Sequence, residues 1–166
     1  MTAHGTAVFG EAVRMVADAL GVDLDDVRCE AEYAQTTADL DLGSWTIAAG
    51  CVAGVAASWK GSVGDRVLVE LNVRWRKGQT LEPDWQIDQD GWVIQIDGRP
   101  TVTAKIGFLP PPDFEAETIA DFMVLGHIMT AAPPLNAIAA VVAAAPGIAT
   151  YNDLPLVLPR GTASLP

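Results

Sequence analysis

The chain has 166 residues, a formal net charge of −11 at neutral pH, a pI near 4.3 and a mean hydropathy of +0.25. This length is enough for one sizeable hydrophobic core and too short for two ordinary ones, so we expect a single domain over residues 1–166. Nucleic-acid affinity depends on clustered Lys and Arg releasing counterions, and the acidic balance therefore excludes nucleic acid as an expected partner.

The hydrophobic content, 50% of the residues, is high for a small soluble monomer. One explanation is that another domain or subunit covers part of the apolar surface. The other is simply a high content of Ala and Val.

The two cysteines, Cys29 and Cys51, lie in strand-like runs without the spacing of a metal or redox motif. We expect both to be reduced and buried, and we expect no metal site. The first residues lack the basic start and apolar core of a secretory signal, which favours a cytoplasmic protein.

The first predicted element is an amphipathic helix. Apolar residues recur at helical spacing from Val8 to Leu20, and Gly21 follows them in the position of a helix C-cap. After an acidic turn, period-two alternation begins at Val27 and continues to Tyr33, which predicts a strand.

Further strand-like runs follow, separated by Gly-Asp, Lys-Gly and Asp-Gly turn signals. They cover residues 45–60, 66–76, 92–97 and 101–107. In the run 66–76 the odd-numbered residues from Val67 to Trp75 are apolar, which predicts one buried and one wetter face. The order of helix, strands and closing helices indicates an α+β fold, with an open, mostly antiparallel or mixed sheet and helices packed on one face.

Aromatic and basic residues in the sheet have a structural and a functional interpretation. Core or interface packing is the conservative role for the tryptophans, although one or two of them can line a pocket for a small organic ligand. The basic cluster at the end of the run 66–76 is typical of a solvated strand edge. The residues concerned are Trp45, Trp59, Trp75, Trp85 and Trp92, and the basic residues Arg74, Arg76 and Lys77.

Residues 122–149 contain no charged side chain, over a length that could span a bilayer. Pro133 and Pro134 fall in the middle of this segment, and His127 and Asn136 are polar, so we expect no membrane span. The segment instead predicts two successive buried helices, with the proline pair opening the second, where a missing amide hydrogen costs nothing.

Several short motifs carry a family resemblance that extends over nearly the whole chain. They are His4-Gly5 before the first helix, Asn136-Ala137-Ile138, Ala145-Pro146-Gly147 and Leu154-Pro155-Leu156. In this pattern the chain resembles the C-terminal part of NAD(P)-dependent amine dehydrogenases related to dihydrodipicolinate reductase and 2,4-diaminopentanoate dehydrogenase. The paired-His and Lys-x-x-Asp-Ala-Pro-Ser-Gly-Thr segments of true dihydrodipicolinate reductases do not occur, so the amine dehydrogenase branch fits better.

The resemblance implies a substrate-binding and dimerisation domain of an oxidoreductase that acts on a small amine or ketone. The nucleotide-binding domain of such enzymes is expected to be absent, because Gly-x-Gly-x-x-Gly occurs nowhere in the sequence. We therefore expect no cofactor-binding residue here and no cofactor bound by this chain alone, with NAD or NADP implied for the complete enzyme. The expected assembly is a homodimer joined to the missing domain.

Within the resemblance, His4 and Asn136 match positions near the substrate, and both are predicted to be substrate-binding residues. No catalytic residue is assigned, because the acidic residue of the family lies in the part that is absent here. The plainer interpretations are an exposed His4 without a role and an Asn136 that bonds neighbouring backbone. The alternative function for the whole chain is a noncatalytic α+β module that dimerises or binds a small ligand.

Overall fold

The computed structural model describes residues 7–85, 87, 91–115 and 119–156. Its contacts divide the chain into two compact units, Met1–Asp88 and Gln89–Pro166. A single domain over residues 1–166 stays a prediction.

The expected α+β class with open antiparallel sheets is confirmed. The first unit holds a helix and six strands, and the second holds a two-stranded hairpin and a long helix. The elements are α1 (Ala7–Ala19), β1 (Asp26–Thr36), β2 (Leu40–Asp41), β3 (Thr46–Ile47), β4 (Val52–Val63), β5 (Arg66–Arg76), β6 (Leu81–Glu82), β7 (Trp92–Ile96), β8 (Val102–Ile106) and α2 (Ile119–Ala143).

A four-stranded antiparallel sheet in the order β5-β4-β1-β6 organises the first unit. The run predicted over residues 66–76 is confirmed as β5. The run predicted over 45–60 is split into β3 and β4, because Gly50 adopts a positive φ of 81° in a turn where the Cys51 N–H donates to the Ala48 carbonyl at 3.0 Å. Glycine tolerates this left-handed conformation, which ends one strand and starts another.

Helix α1 confirms the first predicted element and its cap. Gly21 has a φ of 69°, its N–H donates to the Asp18 carbonyl at 2.9 Å, and the Val22 N–H donates to the Ala17 carbonyl at 3.0 Å. These two bonds form a Schellman motif. The helix packs on one face of the sheet, where Val13 is fully buried with Ala57 and Trp59.

A second cluster closes the other end of the sheet. Ala34, Ile47, Ala53 and Leu81 are buried together, and partly buried side chains including Trp85 pack against them. Because Leu81 belongs to β6 and Ile47 to β3, this cluster joins the short strands to the main sheet.

The prediction that both cysteines are buried is wrong, because Cys29 and Cys51 are exposed. Cys29 lies on β1 opposite Trp59, and α1 makes fewer contacts with β1 than with β4 or β5. Cys51 lies in the turn before β4. The alternating pattern placed Cys29 on the helix-bearing face correctly, but it could not show how much of that face the helix covers.

In the second unit, β7 and β8 form an antiparallel hairpin. Trp92, Ile94 and Ile96 lie on one face of it and remain exposed. Trp92 meets Phe108 edge to face with ring centroids 4.9 Å apart.

The prediction of two buried helices is wrong, since α2 is one helix that runs through Pro133 and Pro134. Proline keeps a helical φ, but it loses the bond to the carbonyl four residues earlier and its ring crowds that carbonyl. On an exposed helix, water can donate to the carbonyls that are left without a partner. The 21-residue segment Met123–Ala143, with a mean hydropathy of 1.4, is long and apolar enough to cross a membrane by length and composition alone, and only 6% of it is buried. The absence of a membrane span stays a prediction.

Candidate functional site

The structure describes only one of the two residues predicted to bind substrate. His4 lies outside the described residues, just before Ala7, where the description of α1 begins. Asn136 is exposed in the middle of α2, and its side chain makes no hydrogen bond within the described part of the chain. The backbone bond considered for Asn136 is therefore not seen there. Substrate contact by either residue stays a prediction.

An exposed group of aromatic residues lies at the start of α1, which is the part of the described chain nearest in sequence to His4. The Phe9 ring centroid is 4.8 Å from that of Trp59 and 5.7 Å from that of Trp75. Trp59 is buried, so it anchors Phe9 to the sheet. Trp75 is 56% exposed and presents a large apolar surface with one polar N–H.

Tyr33 extends this aromatic surface across the sheet. Val55 of β4 pairs with Tyr33 on one side and with Trp75 on the other, so the three side chains form a row on the helix-bearing face. Tyr33 is 47% exposed. We call Phe9, Tyr33, Val55 and Trp75 the aromatic patch. An apolar wall with two polar tips suits a small organic molecule, provided that another surface encloses it.

The sequence could not choose among the tryptophans, and the structure gives each a distinct environment. Trp59 is a core residue and Trp85 packs against the second cluster. Trp45 is exposed in the loop between β2 and β3, and Trp92 is exposed in the other unit. Trp75 alone of these five lies exposed beside the start of α1 in the described structure.

Arg76 is not a solvated strand-edge residue. Its side chain is only 15% exposed. The guanidinium donates to the carbonyls of Gly78, Gln79 and Trp85 at 3.1, 2.8 and 2.8 Å, and to Asp84 Oδ1 at 2.9 Å. It therefore holds the loop of residues 78–85 against the end of the sheet. Sequence reasoning missed this role, because one Arg in a basic run carries no sign of its partners.

The face of the sheet opposite α1 is polar and carries alternating charges. Lys60 Nζ lies 2.7 Å from Glu30 Oε2, and Ser58 Oγ donates to Glu70 Oε1 at 3.0 Å. The hydrogen bond from Lys60 and its positive charge hold the pKa of Glu30 below its usual value, while Glu30 raises the pKa of Lys60. The Glu30 contribution to stability is therefore present above its unfolded pKa and is lost as the pH falls through the lowered folded pKa. Both groups are exposed, so the effect is small.

A shallow cavity of about 270 Å³ opens at the far end of the same sheet. Its lining includes Arg28, Lys60, Ser62 and Asp65. Arg28 is paired with Asp26 at 2.6 Å and Lys60 is paired with Glu30, so both cations are already neutralised. This arrangement does not favour an anion site.

Among the described residues, no three His, Cys, Asp or Glu side chains lie together as metal ligands would. His127 is exposed on α2.

Comparison with known proteins is consistent with the fold and the motifs. No curated protein sequence matches the chain. The 2,4-diaminopentanoate dehydrogenase C-terminal domain family matches residues 1–163. This match covers all the described elements and both predicted substrate-binding residues. The chain therefore belongs to the family of 2,4-diaminopentanoate dehydrogenase C-terminal domains.

Proposed function

We propose that this chain is the substrate-binding and dimerisation domain of an NAD(P)-dependent oxidoreductase that acts on a small amine or ketone. Family membership over residues 1–163 is the observation that carries the proposal. The nucleotide-binding domain and the principal acid or base are then supplied by another part of the enzyme. A cytoplasmic, soluble enzyme fits a nicotinamide-dependent reaction on a small molecule.

The aromatic patch supports the substrate role. Trp75 and Tyr33 are half exposed on the sheet. Trp75 contacts Phe9 at the start of α1, which is close in sequence to His4. An amine or ketone with an apolar carbon chain would lay that chain on the aromatic rings. In the proposal, His4 then hydrogen-bonds the nitrogen or oxygen at the reacting carbon. The proposed substrate contact of Asn136 rests on the family motif alone.

Helix α2 supports the expectation of a missing partner domain. Its exposed apolar side chains include Val124, Ile128, Leu135, Ile138 and Val142, which fall on one face of the helix at helical spacing. An exposed apolar face of this size is normally covered by protein or by lipid. We propose protein, because the chain belongs to a dehydrogenase domain family.

Steady-state kinetics of the enzyme with its nucleotide-binding domain joined to this chain test the substrate role. Trp75→Ala should raise KM about tenfold, because the apolar wall is lost from the ground state and the transition state alike. His4→Ala should lower kcat/KM by roughly ten- to a hundredfold, the scale of one positioned hydrogen bond at a reacting centre.

Trp45→Ala is the matched control, since Trp45 is equally exposed at 56% but lies in the loop between β2 and β3. Trp45→Ala should leave KM and kcat/KM within about twofold of the values of the unaltered enzyme. Unchanged kinetics in a correctly folded Trp75→Ala enzyme would remove the aromatic patch from the substrate site. Unchanged kinetics in the His4→Ala enzyme would show that His4 has no role in substrate binding.

A further inference from the structure

Strand β5 presents an open edge to solvent. It is an end strand of the four-stranded sheet, it has 11 residues, and in the described structure no strand pairs with its outer side. Proline, which often protects such an edge, is absent from it, and its one bulge lies near its start, opposite Gly61 and Ser62. An edge of this length without proline is a template for pairing with another strand, provided that the partner matches its charges.

The backbone groups that face outward can be identified from one hydrogen bond. The Lys77 N–H, directly after β5, donates inward to the Ala53 carbonyl at 2.8 Å. Because backbone direction alternates along an antiparallel strand, the odd-numbered residues of β5 bond β4 and the even-numbered ones point outward. The outward set contains Glu70, Asn72 and Arg74, whose side chains lie on the polar face of the sheet.

We propose that a second copy of this chain adds its β5 antiparallel to this edge, about a two-fold axis at Asn72. Glu70 then lies opposite the partner subunit's Arg74, and Arg74 lies opposite the partner subunit's Glu70. Asn72 lies opposite the partner subunit's Asn72. The inference rests on the dimerisation role proposed above and specifies the surface that performs it.

The charges select this register. An axis at residue 70 or 74 places two like charges opposite each other, which destabilises a strand pair. An axis at residue 71 or 73 leaves Arg74 facing Leu68 or Asn72 rather than a carboxylate. Only an axis at Asn72 pairs both charges, and two-fold symmetry makes each pair occur twice.

Arg74 is available for such a pair. Within the described residues its guanidinium makes no ion pair. Glu70 accepts a hydrogen bond from Ser58 and lies opposite Lys60 in the register, but Lys60 makes its ion pair with Glu30. The open edge of β1 offers a similar pattern, with Arg28 facing Glu30 of a second copy. Those two residues are already bound to Asp26 and Lys60. Charge complementarity therefore favours β5 over β1.

The same register buries apolar surface on the opposite face. Leu71 lies opposite the partner subunit's Val73, and Trp75 lies opposite the partner subunit's Val69. Trp75 is the most exposed member of the aromatic patch, so the second copy covers one side of that patch. The two sheets join into one continuous antiparallel sheet, and the proposed substrate wall lies next to the subunit interface.

Sedimentation equilibrium of the chain over a range of concentrations tests the interface, with circular dichroism as a check of folding. Arg74→Glu and Glu70→Arg should each weaken the dimer at least tenfold, because each places two like-charged pairs across the axis. The double variant Glu70→Arg, Arg74→Glu reverses every pair and should restore the dissociation constant to within about threefold of the original. Arg28→Glu, on the β1 edge, is the matched control and should change it less than threefold.

Each other outcome overturns the inference. A chain that stays monomeric at all concentrations would contradict both the proposed interface and the proposed dimerisation role. If the single charge reversals do not weaken the dimer, or if the double variant does not restore its dissociation constant, the chain still dimerises but not through the edge of β5. If Arg28→Glu weakens the dimer instead, the interface lies at the edge of β1. The experiment contains no substrate or cofactor, so none of these results bears on the substrate role.

Discussion

Gly61→Ala is expected to lower the free energy of unfolding by about 2 to 3 kcal/mol, the upper range for overpacking a core. A Cβ atom at Gly61 would lie 2.6 Å from Leu24 Cδ1 and 2.7 Å from Val13 Cγ1. The Leu24 side chain can turn away. Val13 is 0% exposed and is β-branched on a helix, so its rotamer is fixed and α1 itself must move. Chemical denaturation measures the loss.

Gly10→Ala is the control for this prediction, because it adds the same methyl group to the same core from the helix side. The new Cβ would lie 3.7 Å from Trp59 Cδ1 and 3.9 Å from Val27 Cγ1, which is ordinary contact. Alanine also favours the helix over glycine, so a gain of about 0.5 to 1 kcal/mol is expected. Equal stabilities of the Gly61→Ala and original proteins would show that α1 does not pack directly on this strand.

Arg76→Ala is expected to cost about 3 kcal/mol, since three carbonyls and a carboxylate lose a donor on a side chain that is 15% exposed. The loop of residues 78–85 should then be cleaved faster by a protease. Arg76→Lys should recover little of the loss, because an ammonium group cannot reach four acceptors in this planar arrangement.

Arg66→Ala provides the comparison on the same strand, where Arg66 is exposed at the first position of β5. Its effect should stay within about 0.5 kcal/mol. If Arg76→Ala were as mild as Arg66→Ala, the loop would be held by Trp85 and Leu81 packing, and the guanidinium bonds would be incidental.

Local patterns in the sequence were enough to predict several elements. The spacing from Val8 to Leu20 and the following Gly21 gave α1 and its cap, and the alternation from Val67 to Trp75 gave β5. Both depend on neighbours along the chain, which is why periodicity finds them. The family resemblance, which rested on short motifs such as Asn136-Ala137-Ile138, was also confirmed.

Features that depend on distant contacts were not predictable in this way. The exposure of Cys29 depends on how far α1 reaches across the sheet, and the role of Arg76 depends on a loop that folds back on it. The continuity of α2 through Pro133 and Pro134 went against the general preference of proline for the first turn of a helix. Trp75 was one of five candidates until the structure placed Phe9 beside it and Tyr33 on the same face of the sheet, with Val55 between Tyr33 and Trp75.

Calorimetric titration of NADH and NADPH into the chain tests most directly the claim that it is a substrate-binding domain whose cofactor site lies elsewhere. The sequence contains no Gly-x-Gly-x-x-Gly, the pattern that opens a helix toward a pyrophosphate. We predict no saturable heat for either cofactor up to millimolar concentration. Saturable binding with a micromolar dissociation constant, on the order of −8 kcal/mol, would contradict the account, because the chain would then carry its own nucleotide site.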